Sequence, residues 1–234
     1  MDHTRTLDAL AGPGYCLLPP DEVGGRLGAD RHRWAEFDRH WDHLVTDPYT
    51  EPAGTHRLRR YGHFGMRPGR PAEPRPHGDF LQPEDSNPLY VGKGRAFAPL
   101  TGEFTADPLL AGLLDLLAEA AAVLAEPPEW TVKVHPFRVT ATGGRGGEPT
   151  PEGVHRDGVT LVSSLLVSRV NAEGGESTVY TPSGDPLLST VLSEPGTLLL
   201  GDDRRTLHGV TAVTPGDPDH PAHRDVLVIT FATP

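Results

Sequence analysis

The chain has 234 residues, with 32 acidic against 21 basic side chains and a net charge of −11. That length suits one domain with a sizeable core, and the acidic balance argues against a general nucleic-acid or anionic-membrane binder. The single Cys16 excludes an internal disulfide and a multi-cysteine zinc site, and the N-terminal MDHTRTLDAL lacks the layout of a signal peptide, so a cytoplasmic protein is expected.

Residues 31–45, RHRWAEFDRHWDHLV, place Trp34, Phe37, Trp41 and Leu44 at helical spacing, which predicts an amphipathic helix with an aromatic core stripe. Residues 46–95 are rich in Pro, Gly and Arg. Within them RLRRYGHF (57–64) reads as a short strand and PGRPAEPRPHGDF (68–80) as loop, because its prolines cannot join a central ladder. A loop this long suggests a lid over residues 65–95. The clearest helix is 107–126, DPLLAGLLDLLAEAAAVLAE, with Asp107 as its cap, Pro108 in its first turn and a broad leucine surface to pack on a sheet.

After residue 129 the pattern changes to strands and turns. The candidates are 130–142, 155–169, 176–181, 196–200, 207–213 and 224–232, with Gly-rich turns such as GGRGGE (143–148) and NAEGGES (171–177) between several of them. GGRGGE has neither the Lys-Ser/Thr nor the following helix of a phosphate-binding loop. No helical pattern separates the strands, which argues against β-α-β units. With 27 Gly and 25 Pro, the chain fits an antiparallel sandwich or jelly roll with helices outside one sheet, an α+β fold. No internal boundary is visible. Residues 1–129 form a helical, loop-rich wrapping portion and 130–234 the jelly-roll core of a single domain.

The stretch EGVHRDGVT (152–160) contains a His-Arg-Asp that also opens the catalytic loop of protein kinases. Val162 stands where that loop needs Asn, and no D-F-G follows, so phosphoryl transfer is excluded. On a strand, His155 and Asp157 would share a face and Arg156 would point away. His208, in GTLLLGDDRRTLHGVTAV (196–213), is the candidate third ligand from a later strand. Two imidazoles and one carboxylate suit ferrous iron and leave positions open for a co-substrate and oxygen, whereas a structural zinc site would be closed by a fourth protein ligand. Alone, a His-x-Asp or a His before Gly is commonplace; together on a jelly-roll pattern they are specific. Arg224 opens RDVLVITF (224–231) and is placed either to clamp a dicarboxylate or to form a salt bridge with a neighbour such as Asp225.

With His155-x-Asp157, His208 and Arg224 the chain resembles the bacterial Fe(II)/2-oxoglutarate-dependent dioxygenase family that includes free amino-acid hydroxylases such as L-isoleucine dioxygenase. The resemblance extends through RRYGHF (59–64), HPFRV (135–139), GGES (174–177) and LHGVTAV (207–213). It implies a double-stranded β-helix, His155, Asp157 and His208 as iron ligands, and Arg224 on the far carboxylate of 2-oxoglutarate. Val226 stands where many relatives of the wider superfamily carry a Ser or Thr sharing that carboxylate. Retention of Asp157 implies hydroxylation rather than halogenation, because related halogenases replace the carboxylate with a small residue. The expected reaction couples Fe(II), 2-oxoglutarate and O2 to hydroxylation of an unactivated C–H bond of a free L-amino acid or close derivative, releasing succinate and CO2. Desaturation or ring closure at the same iron, and a jelly-roll binding module without turnover, are the alternatives. For an amino-acid substrate, Arg138 is a candidate for its carboxylate and Glu176 for its ammonium; an ordinary cross-strand Arg–Glu contact is the competing account of both.

Overall fold

The computed structural model describes residues 8–50, 57–80 and 94–234. Its strands, in chain order, are β1 (Tyr15–Leu18), β2 (Val45–Thr46), β3 (Arg57–Arg59), β4 (Gly62–Met66), β5 (Glu73–Pro74), β6 (Trp130–Ala141), β7 (Leu161–Val170), β8 (Ala172–Gly174), β9 (Glu176–Tyr180), β10 (Pro186–Val191), β11 (Leu198–Asp202), β12 (Leu207–Val210), β13 (Val213–Pro215) and β14 (Ala222–Ala232). The helices are α1 (Pro20–Leu27), α2 (Arg31–Asp38, continued by a 3-10 segment Arg39–His43), α3 (Gly102–Thr105) and α4 (Pro108–Ala122). The main antiparallel sheet runs β1-β11-β7-β14-β6-β3-β2, with β4 and β5 attached beside β6. A smaller sheet, β10-β9-β12, and a ribbon, β13-β8, complete a jelly roll.

Period-two alternation sorts the main sheet into two faces. Trp130, Val132 and Val134 of β6, Leu227, Ile229 and Phe231 of β14, and Leu161 and Leu165 of β7 join one core with the helices. Phe37 and Trp41 from the α2 region and Leu110, Leu113 and Leu117 from α4 fill its other side, all almost fully buried. The opposite face presents Lys133, His135, Phe137, Val226, Val228 and Thr230 to a cavity. A second cluster, Leu166, Val179, Leu192, Leu199 and Val226, ties the two sheets together.

Several elements differ from their sequence expectation. The strand predicted from residue 155 begins at Leu161, and residues 207–213 divide into β12 and β13. Within the predicted loop 68–80, Pro74 pairs with Phe64 in the short edge strand β5, a position open to proline because no ladder hydrogen bond is required there. α1, β1 and β10 carry no readable pattern. α1 has Pro20 at its start and two internal glycines, and it closes on Gly28 in the left-handed conformation (φ 62°). β10 is largely exposed, so it shows no apolar alternation. Residues 81–93 of the segment read as a lid lie outside the described residues. Its two ends meet where Phe80 and Arg95 exchange backbone hydrogen bonds of 2.8 and 3.1 Å. Among the described residues, no helix is long and apolar enough to cross a membrane.

Asp107 anchors α4 as expected. Its carboxylate accepts the Leu109 N–H at 2.7 Å, pairs with His40 Nε2 at 2.8 Å and receives the Arg33 guanidinium. Asp107→Ala is expected to cost about 1–2 kcal/mol in urea unfolding, while Asp107→Asn, which still accepts at the cap, should lose less.

Candidate active site

The cavity face of the main sheet is a grid fixed by strand register. Across β3, β6 and β14 its rows read Arg57–Val139–Arg224 and Arg59–Phe137–Val226. Across β6, β14 and β7 they continue as His135–Val228–Ser164 and Lys133–Thr230–Val162. These residues line a cavity of about 540 Å³, together with His155, Asp157 and His208 on the opposite wall.

His155 and His208 are locked by an isolated antiparallel bridge. The His155 N–H donates to His208 O at 2.9 Å and the His208 N–H donates back at 2.8 Å. Residues paired in this way carry their side chains on one face, and the two imidazole centroids lie 4.4 Å apart. Asp157 is not on a strand; it belongs to the turn leading to Leu161, which corrects the alternation argument for the His-x-Asp pair. What aims it is Asp203, a fully buried carboxylate that accepts the backbone N–H groups of Asp157, Gly158 and Val159 at 3.1, 2.7 and 3.0 Å. Burial, with the charge of Asp157 adding to it, pushes the Asp203 pKa up to about 6.

The ligand atoms of His155, Asp157 and His208 lie within 4.8 Å of one another. His155 Nε2 is 3.9 Å from Asp157 Oδ1, and His208 Nε2 is 3.7 Å from Asp157 Oδ2. Metal bonds of about 2.1 Å put neighbouring octahedral ligands about 3 Å apart, so a small contraction closes the set on an ion. The chemistry of the donors fits. His155 Nδ1 lies 2.9 Å from Gly153 O, so its N–H donates there and Nε2 is left to bind. Burial pulls the His208 pKa down to about 4, keeping that imidazole neutral and able to ligate. Its Nδ1 is 3.7 Å from Asp203 Oδ1, so Asp203 borders one ligand and holds the turn of another. Asp203 escaped sequence reading because the only signal is a pair of aspartates, Asp202-Asp203, at the end of an apolar strand. Asp202 instead pairs with Arg204 at 2.8–2.9 Å.

Arg224 projects into the cavity from β14 and is 2% exposed. Its Nη2 donates to Ser177 Oγ at 3.5 Å, and its Nε is buried without a partner. Burial, with Arg169 adding to it, brings its pKa down to about 10, so it is charged at neutral pH. Gly175 of the GGES motif makes room for it: a Cβ there would lie 3.1 Å from Arg224 Cδ, and φ at this residue is 63°. The two residues suggested for an amino-acid substrate are placed elsewhere. Arg138 continues the helix-facing parity of β6 and grips the buried Asp225 with bonds of 2.9 and 2.7 Å. Glu176 opens β9 opposite Val191 and is not among the cavity-lining residues; its neighbour Ser177 reaches Arg224. The cations that do line the cavity from this side are Arg57, Arg59, Arg95 and Lys133.

Replacing Asp203 by Ala frees three backbone donors and the neighbour of His208. Asp203→Ala is expected to weaken divalent-metal binding by roughly 10- to 100-fold, read by titration with Mn(II), while circular dichroism shows a retained fold.

The sequence model of the 2OG-Fe dioxygenase family matches residues 38–230. A solved bsmA homolog from Methylobium petroleophilum PM1 is 34% identical, with a TM-score of 0.90 over 100% of this chain and 94% of that one. IDO from Bacillus thuringiensis shares the fold at 18% identity and a TM-score of 0.81, covering 100% of this chain and 96% of its own. The Fe(II)/(alpha)ketoglutarate-dependent dioxygenase TqaL does so at 16% identity and 0.78, covering 99% and 86%. No curated protein matches the sequence. Because both the family model and a 34% identical relative span most of its length, this chain belongs to the 2OG-Fe dioxygenase family, whose chemistry uses ferrous iron, 2-oxoglutarate and dioxygen.

Proposed function

We propose that this protein hydroxylates an unactivated C–H bond of a free L-amino acid or a close derivative in the cytoplasm, converting 2-oxoglutarate to succinate and CO2. The observation that carries this reading is the meeting of His155, Asp157 and His208 at the wall of a cavity that also holds the buried Arg224. His155 Nε2, one Asp157 oxygen and His208 Nε2 would hold the ferrous ion. Bound there, the iron supplies the oxidising chemistry with oxygen and the keto acid.

The remaining steps belong to the protein. Arg224 seats the far carboxylate of 2-oxoglutarate through a charge-assisted contact. Ser177 Oγ, beside Arg224 Nη2, takes the part that Val226 cannot, supplying a hydroxyl to the same carboxylate. The Asp203-capped turn keeps Asp157 fixed, so its carboxylate stays beside the two imidazoles. Val226, Val228 and Phe137 give the substrate an apolar wall, which holds its C–H bond in place and limits water at the reacting carbon. The similarity to IDO and TqaL supports the fold of this site, while the cavity of about 540 Å³ and its cations support a small substrate that carries a carboxylate.

A screen of the twenty amino acids and related metabolites for 2-oxoglutarate-dependent succinate release tests the assignment, and mass spectrometry of the product separates gain of one oxygen from loss of two hydrogens. Asp157→Ala is expected to abolish iron-dependent turnover with the fold retained. Arg224→Ala should raise the half-saturating 2-oxoglutarate concentration by roughly 10- to 100-fold; saturation at the wild-type concentration would remove Arg224 from the site.

A further inference from the structure

Arg59 is 3% exposed, lines the cavity, and has an Nε with no hydrogen-bond partner. Among the described residues, its surroundings supply one carboxylate that it shares with a second arginine. Asp47 is held by Arg57, whose Nε and Nη2 donate to the same Asp47 oxygen at 3.1 and 2.9 Å. Arg59 Nη1 is 3.8 Å from that oxygen, so one buried carboxylate stands beside two guanidinium groups. Arg59 Nη2 donates to His135 Nδ1, an imidazole that burial and the charge of Arg59 keep neutral, and so contributes no charge of its own. A buried cation left with a surplus charge is costly unless an anion joins it.

The iron and its co-substrate do not supply that anion. On the roles proposed above, the charges of the ferrous ion, Asp157, the 2-oxoglutarate dianion and Arg224 cancel. The sheet register also separates the two arginines. Arg59 and Arg224 lie two strands apart and one row along, a Cα separation of roughly 12 Å, so their guanidinium groups enter the cavity from different strands and rows. The geometry around Arg59 further specifies the acceptor. Its guanidinium carbon lies 3.5 Å from the ring centroid of Phe97 and 4.6 Å from that of Phe137. Beside these ring contacts the Nε–H has no protein acceptor, and a guanidinium suits a carboxylate.

We propose that Arg59 is the substrate-anion seat of this enzyme: it binds the carboxylate of an otherwise apolar or aromatic substrate whose body lies along Phe80 and Phe137 toward the metal. This inference rests on the oxygenase reading and takes over the part that the sequence suggested for Arg138. The neutral His135 accepts from Nη2, and Asp47, held by Arg57, stands beside Nη1.

The test compares acids with their uncharged amides. The Mn(II)-loaded protein with 2-oxoglutarate, kept anaerobic, is titrated with the twenty L-amino acids, 3-phenylpropanoate and the primary amide of each, with binding read by ligand NMR and calorimetry. The expected result is a bound carboxylate whose amide binds about 10- to 100-fold more weakly. Arg59→Gln should bring the acid down to the level of its amide, Arg59→Lys should recover part of the difference, and 2-oxoglutarate affinity should stay at the wild-type value in both. Equal binding of acid and amide, full acid affinity in Arg59→Gln, or no bound carboxylate at millimolar concentration overturns the proposal. If Arg59→Gln does not fold, Arg59→Lys carries the comparison, and full acid affinity in it overturns the proposal. Failure of the oxygenase reading shows separately, as absence of 2-oxoglutarate binding in the same samples.

Discussion

Two backbone hydrogen bonds, exchanged between His155 and His208, hold the candidate metal centre together. They join a turn before β7 to strand β12, across 53 residues of chain, and leave two imidazoles facing one point. A bridge of this kind is indifferent to side-chain identity, so the placement is inherited from the sheet rather than made by the ligands. Asp203 extends the same principle to the third ligand. Its carboxylate satisfies three successive N–H groups that would otherwise be spent on solvent, and the turn carrying Asp157 acquires a defined shape. The ligand set is therefore held by backbone groups on every side before any ion binds, which reduces the ordering that metal binding must supply.

The charge arrangement complements this rigidity. In a chain with a net charge of −11, five cationic side chains among the described residues nevertheless line the cavity. Such an interior attracts small anions while the acidic exterior repels large polyanions. Burial makes each of these cations costly, and the fold offsets the cost in different ways: Arg57 is paired with Asp47, Arg59 is laid over aromatic rings, and Arg224 donates to Ser177 Oγ. Arg138, on the helix-facing side of β6, is engaged with Asp225 and contributes to the sheet instead. The difference between a binding arginine and a structural one is here a matter of strand parity.

The helices give the sheet its orientation. Phe37, Trp41 and Phe104 form edge-on aromatic contacts, with Trp41 Nε1 donating to Phe137 O at 2.9 Å, which fastens the α2 region to β6. Because the leucine face of α4 and these rings cover one side of the main sheet, only the other side can enclose a cavity.

Local periodicity made much of this legible in advance. The aromatic stripe at residues 34–44, the Asp107–Pro108 start of α4 and the long strands β6 and β14 follow from spacing within short windows, whereas the roles of His155, Asp157, His208 and Arg224 came from the resemblance to a family. α1, β1 and β10 escaped because a short or solvent-exposed element has little burial to imprint on its sequence. Alternation along β6 was readable, but not which face met the helices, and that choice moved Arg138 out of the site and Arg59 of a neighbouring strand into it. Asp203 was hidden for a related reason, since a carboxylate that serves backbone donors 44–46 residues away leaves no local pattern. Sequence by itself determined which side chains were available for an iron site and the repeat lengths of the elements carrying them. Tertiary structure alone decided which of them share a cavity, because that depends on strand register and on which sheet face the helices cover, both set by contacts between distant segments.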